Sequence, residues 1–248
     1  MIQLHRPPIP APLAATAPAA AKALWAAWKK GEKLEIKASI YAHAAVKTTL
    51  REAQRDKCAY CETLNPTSHD VVEHFRPKNG WRQRRGDPLR YPEYFWLAYD
   101  WENLLFACDR CNDAGHKQNL FPLRNPSRRA TAASHDIKRE QPLLLNPYDN
   151  KDPEKHIEWS RDVPRPRNRS RMGRATIETF RLAEDSLLLR SRRRYLDDTE
   201  KYLALAEGLP AGDPRRKAVR PVFREYLGPT RPWSAMIRGN LEPRIRAL

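Results

Sequence analysis

Apolar residues recur at helical spacing in two stretches near the N-terminus of the 248-residue chain. The Ala-rich stretch 17–30, which contains Leu24 and Trp28, predicts one helix, and residues 37–56 predict a second. Residues 1–16 contain four prolines, which interrupt helical hydrogen bonding. This N-terminal segment is therefore predicted to be an extended arm.

The C-terminal part of the chain shows the same helical pattern after a long irregular stretch. Residues 124–170 contain six prolines and are predicted to form loops. Residues 173–207 predict a long helix with a break near Asp185, and residues 214–226 predict a shorter one. A last turn or helix is expected after Trp233.

The middle of the chain, residues 57–123, has a different character, with paired cysteines, histidines, aromatics and turn residues. This pattern predicts a compact module of short strands and one helix. We therefore predict an α+β protein in which a small module lies between mainly helical segments. The expected divisions are 1–56 (arm and helices), 57–124 (the module) and 125–248 (loop-rich linker and a helical region able to dock a partner).

The net charge and the glycine content of the chain favour some classes of function and disfavour others. Lys and Arg total 46 against 30 Asp and Glu, which gives a formal charge of +16 and a pI near 10.0. Such an excess favours a polyanionic partner, nucleic acid first and an anionic membrane surface second. The chain has only 9 Gly, and it lacks the Gly-rich motifs that bind nucleotide phosphates. An ATPase or a dinucleotide-dependent enzyme is therefore not expected.

No apolar run approaches the ~20 residues that span a bilayer. The N-terminus also lacks the continuous apolar region of a signal peptide. A cytoplasmic protein without a membrane partner is expected. In that compartment cysteines more often bind metal or carry redox chemistry than form structural disulfides.

Two CxxC pairs stand out, Cys58 with Cys61 and Cys108 with Cys111. Two intervening residues allow both sulfurs of a tight turn to point at one ion, and four thiolates suit a tetrahedral zinc site. We predict a structural zinc ion held by these four cysteines. Two separate redox motifs, or buried thiols, are the alternatives, although no thioredoxin-like strand pattern precedes either pair.

The segment between the two pairs carries acid–base and metal-binding residue types. Val71 and Val72 predict a strand that ends at Glu73 and His74, which are adjacent and would lie on opposite faces of an ideal strand. A bend or bulge would let both side chains address one site. His69 and Asp70 are alternative ligands, although a turn before the strand explains them equally well.

These motifs together resemble the HNH endonuclease family, whose ββα-metal core carries the chemistry. The similarity is closest to HNH nucleases encoded beside an ATPase in anti-phage systems of the Septu type and in some retrons. It covers residues 57–157 and rests on the segments 57–62 (KCAYCE), 73–78 (EHFRPK), 96–104 (WLAYDWENL), 108–112 (CDRCN), 121–123 (FPL), 144–148 (LLNPY) and 152–154 (DPE).

The resemblance implies a role for each matching residue. His74 would be the general base that takes a proton from the attacking water, and Glu73 and Asn112 would be ligands of the catalytic metal. Asn103 would hydrogen-bond across the ββα loop, and Lys117 would lie near the phosphate. Glu73 stands where many members have Asp, and the stretch before Lys117 is longer than usual.

The chemistry of these residue types agrees with that assignment. An imidazole with an ordinary pKa near ~6.5 accepts a proton from water at neutral pH. A carboxylate and an amide oxygen suit a hard ion such as Mg²⁺ or Mn²⁺ rather than the zinc of the thiolates. Two metals with distinct roles are therefore expected, zinc for folding and Mg²⁺ or Mn²⁺ for catalysis.

A basic loop follows the proposed base. Its cations are expected to contact the phosphates of a nucleic acid, whereas the aromatic residues among them are expected to pack inside the module. The predicted phosphate-binding residues are Arg76, Lys78, Arg82, Arg84 and Arg85.

We therefore hypothesise a metal-dependent HNH endonuclease that hydrolyses nucleic acid, DNA in preference to RNA. By resemblance it would be the nuclease of an anti-phage defence pair under the control of a separate ATPase subunit. Two alternatives stay open: a non-catalytic zinc module that only binds nucleic acid, and a nuclease that cuts RNA such as transfer RNA.

Overall fold

A computed structural model describes residues 1–64, 71–91, 94–149 and 152–248. In these ranges the chain combines α-helices with two small antiparallel sheets, in agreement with the predicted α+β class. The helices are α1 (Ala11–Lys29), α2 (Ala38–Tyr41), α3 (Ala44–Gln54), α4 (Asp109–Asn112), α5 (Arg171–Thr179), α6 (Ser186–Glu207), α7 (Pro214–Leu227) and α8 (Ser234–Ala247). The strands are β1 (Val71–His74), β2 (Leu104–Ala107), β3 (Ile157–Ser160) and β4 (Val163–Pro166).

The predicted extended arm is too long, because α1 already begins at Ala11. Pro12 lies in the first turn of the helix, where a backbone N–H has no partner within the helix. The carbonyl of Pro10 accepts the first hydrogen bonds, from Leu13 and Ala14. Proline at this position is therefore compatible with the start of a helix.

The predicted second helix is interrupted and forms α2 and α3. His43 ends the interruption, because its Nδ1 atom accepts a hydrogen bond from the backbone N–H of Ala45 at 3.1 Å and caps α3. Val46 and Leu50 of α3 pack with Leu13 of α1 against the first sheet. The N-terminal helices therefore cover one face of the central module.

The first sheet forms the centre of the module. Strands β1 and β2 pair without interruption from Val71 opposite Ala107 to His74 opposite Leu104. Every residue of β2 is buried, because the N-terminal helices cover one face and the aromatic core around Tyr60 covers the other. A short helix, α4, follows β2 and packs against β1.

The region predicted to consist of loops contains a hairpin of β3 and β4. Pro164 and Pro166 led to the prediction of a loop, because proline usually interrupts a sheet. A two-stranded sheet has a free edge on each strand, where a missing N–H costs little. Arg161 makes the turn with a φ of 56°.

The predicted break in the C-terminal helix is confirmed. Asp185 precedes α6 and accepts hydrogen bonds from the backbone N–H groups of Leu187 and Leu188, both at 3.0 Å. The helix α5 ends at Thr179. The side chains of α6, α7 and α8 share a second core around Leu196, Met236 and Ile237.

The main core extends across position 124, where the module was predicted to end. It combines Tyr60 and Phe121 of the module with Leu145, Ile177 and Phe180 of the following region. The ring centroids of Tyr60 and Phe180 lie 3.9 Å apart in a stacked arrangement. The module and the start of the C-terminal region are therefore packed as one unit.

Candidate active site and metal centre

The four predicted zinc ligands form one cluster. The Sγ atoms of Cys58, Cys61, Cys108 and Cys111 all lie within 4.8 Å of one another, and those of Cys61 and Cys108 are 3.7 Å apart. A tetrahedral site with Zn–S bonds of about 2.3 Å has sulfur–sulfur separations of about 3.8 Å. The cysteines are free thiols, and the donor set fits zinc.

Local backbone geometry brings each pair of sulfurs together. In the first pair, the chain turns back at Glu62, whose φ of 58° places it in the left-handed region, and the N–H of Glu62 donates to the carbonyl of Cys58. In the second pair, Cys108 precedes α4 and its carbonyl accepts the N–H of Asn112. A tight turn and a single helical turn thus present the four sulfurs.

The thiols perturb one another strongly. Hydrogen bonds from the neighbouring thiols, that of Cys108 first, hold the pKa of Cys61 well below its ordinary value. Contacts of the same kind, together with burial, raise the pKa of Cys111. These shifts reflect how closely the four sulfurs are spaced, and a divalent cation binds them in their deprotonated form.

The predicted general base, His74, is buried at the end of β1 with only 3% of its surface exposed. Its Nε2 lies 2.9 Å from the carbonyl oxygen of Ala98. A carbonyl only accepts, so Nε2 carries the hydrogen, and Nδ1 of the neutral ring keeps its lone pair. Burial, followed by the charge of Lys78, lowers the pKa of His74 to about 3, which keeps the ring neutral at physiological pH.

Glu73 is buried next to His74, and its carboxylate accepts a hydrogen bond from the ammonium of Lys117. The same ammonium donates to the backbone carbonyl of His74 at 2.8 Å. Lys117 is fully buried, and burial lowers its pKa while the charge of Glu73 opposes that shift. Lys117, which the resemblance places near the phosphate, is a buried cation that links the segment after α4 to the end of β1.

No bulge brings Glu73 and His74 to the same face, because the pairing of β1 with β2 is regular through both residues. Lys78 interacts electrostatically with both of them. Burial lowers the pKa of Lys78 and the carboxylate of Glu73 opposes that shift, while Lys78 also acts on His74. Lys78 lies 4.9 Å from the ring centroid of Tyr41, which is 4.6 Å from the ring of His74.

Asn103 links the segment after β1 to the segment before β2. Its amide donates to the carbonyls of Leu97 and Arg76, both at 3.1 Å, and its Oδ1 accepts the N–H of Arg76 at 2.8 Å. The end of β1 and the turn before β2 are thereby held at a constant separation. Asn112, the other predicted metal ligand, lies half-buried at the end of α4, which packs against β1.

The basic residues after β1 divide into two groups. Arg76 forms a salt bridge with the buried Glu140 at 2.8 Å, and Lys78 and Arg82 are half-buried. Arg84 and Arg85 are exposed. The second group is thus the more exposed of the two, whereas Arg76 has an internal partner.

Two contacts near the site have no distinct signal in the sequence. Tyr41 lies in the stretch 37–56 that was predicted only as a helix, and its ring packs edge-on against His74. Arg192 is buried in α6 and donates to the carbonyl of Cys61 at 3.4 Å. Its position in an arginine-rich helix gave no indication of burial. His69 and Asp70 lie outside the described residues.

No protein-family model matches the chain. Over 172 residues it is 37% identical to Septu protein PtuB of Bacillus mycoides (strain KBAB4), a match that covers 68% of this chain and 57% of that protein. Over 93 residues it is 32% identical to Septu protein PtuB of Bacillus thuringiensis, which covers 36% of this chain and 31% of that protein. The chain thus spans little more than half of the first relative and about a third of the second. Over two thirds of its own length, it is homologous to a protein named Septu protein PtuB.

Proposed function

We propose that the chain is a metal-dependent endonuclease of the HNH type that acts in anti-phage defence. The observation that carries the proposal is the state of His74, a buried neutral imidazole whose Nε2 is held by Ala98 and whose Nδ1 keeps its lone pair. A buried carboxylate, Glu73, lies beside it in the sequence. Similarity to the Septu proteins supports the defence role.

In this proposal, His74 removes a proton from the water that attacks the phosphodiester. Its hydrogen bond to Ala98 fixes the orientation of the ring, so no rotation is needed before the proton is transferred. The edge-on contact with Tyr41 also restricts the ring. The ring is neutral, and only a neutral ring can accept the proton.

Glu73 and Asn112 would hold the catalytic cation. Both offer oxygen atoms, the ligands that Mg²⁺ and Mn²⁺ prefer, and α4, which carries Asn112, packs against the strand that carries Glu73. When bound, such an ion supplies positive charge to the phosphate and to the departing oxygen. Glu73 already accepts from Lys117, so the lysine would orient the carboxylate.

The chain itself carries no nucleotide-binding motif, so control by a nucleotide would require a partner. We propose a separate ATPase subunit and a docking surface on the C-terminal helices. None of the helices in the part of the chain that the structure describes is long and apolar enough to cross a membrane.

The test is cleavage of plasmid DNA and of RNA, including transfer RNA, in the presence of Mg²⁺ or Mn²⁺ and of the partner. We expect His74→Ala to lose cleavage by at least about 100-fold, the typical contribution of a general base. His5→Ala is the matched control, because His5 is exposed. Equal cleavage by the wild type and His74→Ala would contradict the role of His74.

The buried ion pair of Glu73 with Lys117 favours a second candidate, a non-catalytic module that binds nucleic acid. An internally neutralised carboxylate can be purely structural. Absence of cleavage by the wild type on every substrate, with intact binding, would favour that candidate. Cleavage confined to RNA would identify the third possibility, an RNA nuclease.

A further inference from the structure

A cleft of about 610 Å³ lies between the basic loop and α5, outside the cluster of Glu73 and His74. The loop from Trp81 to Arg90 and the segment from Leu120 to Arg124 both line it. One face of α5 also lines it, because the lining residues of that helix recur at helical spacing: Arg171, Ala175, Glu178 and Thr179.

The cleft is strongly basic. Five exposed arginines line it, and among the described residues the acidic side chains in its lining are those of Asp87 and Glu178. These arginines are Arg84, Arg85, Arg90, Arg124 and Arg171. Arg85 is held in place by its hydrogen bonds to the carbonyls of Gly115 at 2.8 Å and Thr179 at 3.1 Å, so it joins the loop to α5. The chemistry of this lining matches a chain of phosphates.

One aromatic ring is fixed at the wall of the cleft. The indole of Trp81 lines it, and the guanidinium of Arg129 lies 3.7 Å from the centroid of that ring. Arg129 is buried and rigid, because it donates to Tyr94, Gln83 and Phe121 at 2.7 to 2.8 Å. A pre-oriented aromatic ring beside arginines is the combination that binds unpaired bases and their phosphates.

We propose that this cleft binds a single-stranded segment of nucleic acid, with phosphates on the arginines and one base stacked on Trp81. Bases in a duplex are already stacked on their neighbours and reach an aromatic side chain only after unpairing. A cleft that offers an aromatic ring for stacking therefore favours a single strand, whose bases are free to reach that ring. This binding is separate from hydrolysis, because it uses none of the residues of the Glu73–His74 cluster.

The experiment measures fluorescence anisotropy of labelled oligonucleotides with the full-length His74→Ala protein and no added divalent cation, so that failure of cleavage does not affect it. The probes are single-stranded DNA, single-stranded RNA and duplex DNA of equal length. We expect at least one single-stranded probe to bind more tightly than the duplex. Tighter binding of the duplex than of both single strands would overturn the proposal.

The triple substitution Arg84→Ser, Arg124→Ser and Arg171→Ser removes three exposed charges from the cleft. We expect at least about tenfold weaker binding at low salt, and a log–log salt dependence shallower by about 2, from ~0.7 per contact on a single strand. The control replaces Arg190, Arg194 and Arg224 with Ser, which removes the same charge from exposed positions outside the cleft. Equal losses in both triple variants would show a general charge effect and refute the cleft.

Trp81→Ala tests the stacking contact separately. We expect about tenfold weaker single-strand binding, whereas Trp81→Phe keeps a ring and most of the affinity. Circular dichroism checks that both variants remain folded. Unchanged affinity of a folded Trp81→Ala protein would remove the base-stacking part of the proposal.

Discussion

At the scale of single residues, burial determines the chemistry of the proposed site more than charge does. The imidazole of His74 and the ammonium of Lys117 are both removed from water, and burial is the first cause of each lowered pKa. The sequence pattern indicated which residues belong to the proposed site. It gave no indication that Lys117 is internal, because its partner Glu73 lies 44 positions away in the chain.

The depressed pKa of His74 makes stability depend on pH in a defined direction. The folded state binds the proton only near pH 3, whereas the unfolded chain binds it near ~6.5. The stability that the neutral His74 contributes is therefore present above about pH 6.5 and is lost as the pH falls toward 3, by up to about 1.4 kcal/mol per pH unit. Denaturant unfolding of the wild type and His74→Gln should show the difference between them changing only below about pH 6.5. A pH-independent difference would contradict the buried neutral state.

The ion pair of Glu73 and Lys117 predicts strong coupling between the two residues. Either Glu73→Gln or Lys117→Met alone leaves one buried charge without its partner and should cost about 3–5 kcal/mol of unfolding free energy. The double variant should cost clearly less than the sum of the two single variants. A double-mutant cycle by urea unfolding measures this coupling. Additive losses would show that the two groups do not depend on each other.

At the scale of elements, prediction succeeded where a local signal marks an end. Asp185 is a side-chain cap, and the break before α6 was recognised. The prediction from sequence was wrong where proline is compatible with regular structure. This is the case in the first turn of α1 and at the free edges of the hairpin. The short helix α4 was predicted only as the helix of a module, since four residues carry too little periodicity for bounds to be assigned.

The helix α5 approaches the hairpin so closely that one glycine is required. A Cβ atom at Gly173 would lie 2.0 Å from the carbonyl oxygen of His156. Gly173→Ala should therefore destabilise the protein by about 1–3 kcal/mol, the usual cost of overpacking. Gly212→Ala is the control, because nothing lies within 4 Å of the corresponding position. Thermal unfolding of both variants checks the prediction, and equal melting temperatures would contradict the close approach.

At the scale of the whole molecule, the cysteine cluster connects regions that are distant in the sequence. Cys61 and Cys108 were recognised as partners from their motifs, and the structure brings all four sulfurs together. The packing around them was not predictable, since Phe180 and Leu182 lie far along the chain and belong to another helical pattern.

Loss of one sulfur should therefore affect more than the module. Cys111→Ser should reduce bound zinc from about one equivalent per chain and remove much of a stabilisation of about 10 kcal/mol. The N-terminal helices and the C-terminal region should lose protection together in hydrogen exchange. Asp109→Ser, an exposed neighbour on the same turn, should keep its zinc. Full zinc content in Cys111→Ser, measured by elemental analysis, would contradict the four-sulfur site.

The buried guanidinium of Arg192 has a practical consequence for dissecting this protein. It donates to the carbonyl of Leu182 at 2.7 Å and to that of Cys61. These hydrogen bonds connect α6 to the turn that carries the first pair of cysteines. A fragment cut at residue 124 would lose that connection and uncover Tyr60 and Phe121. A minimal version, or a chimera that transplants the module into another scaffold, has to include α5 and α6 as well.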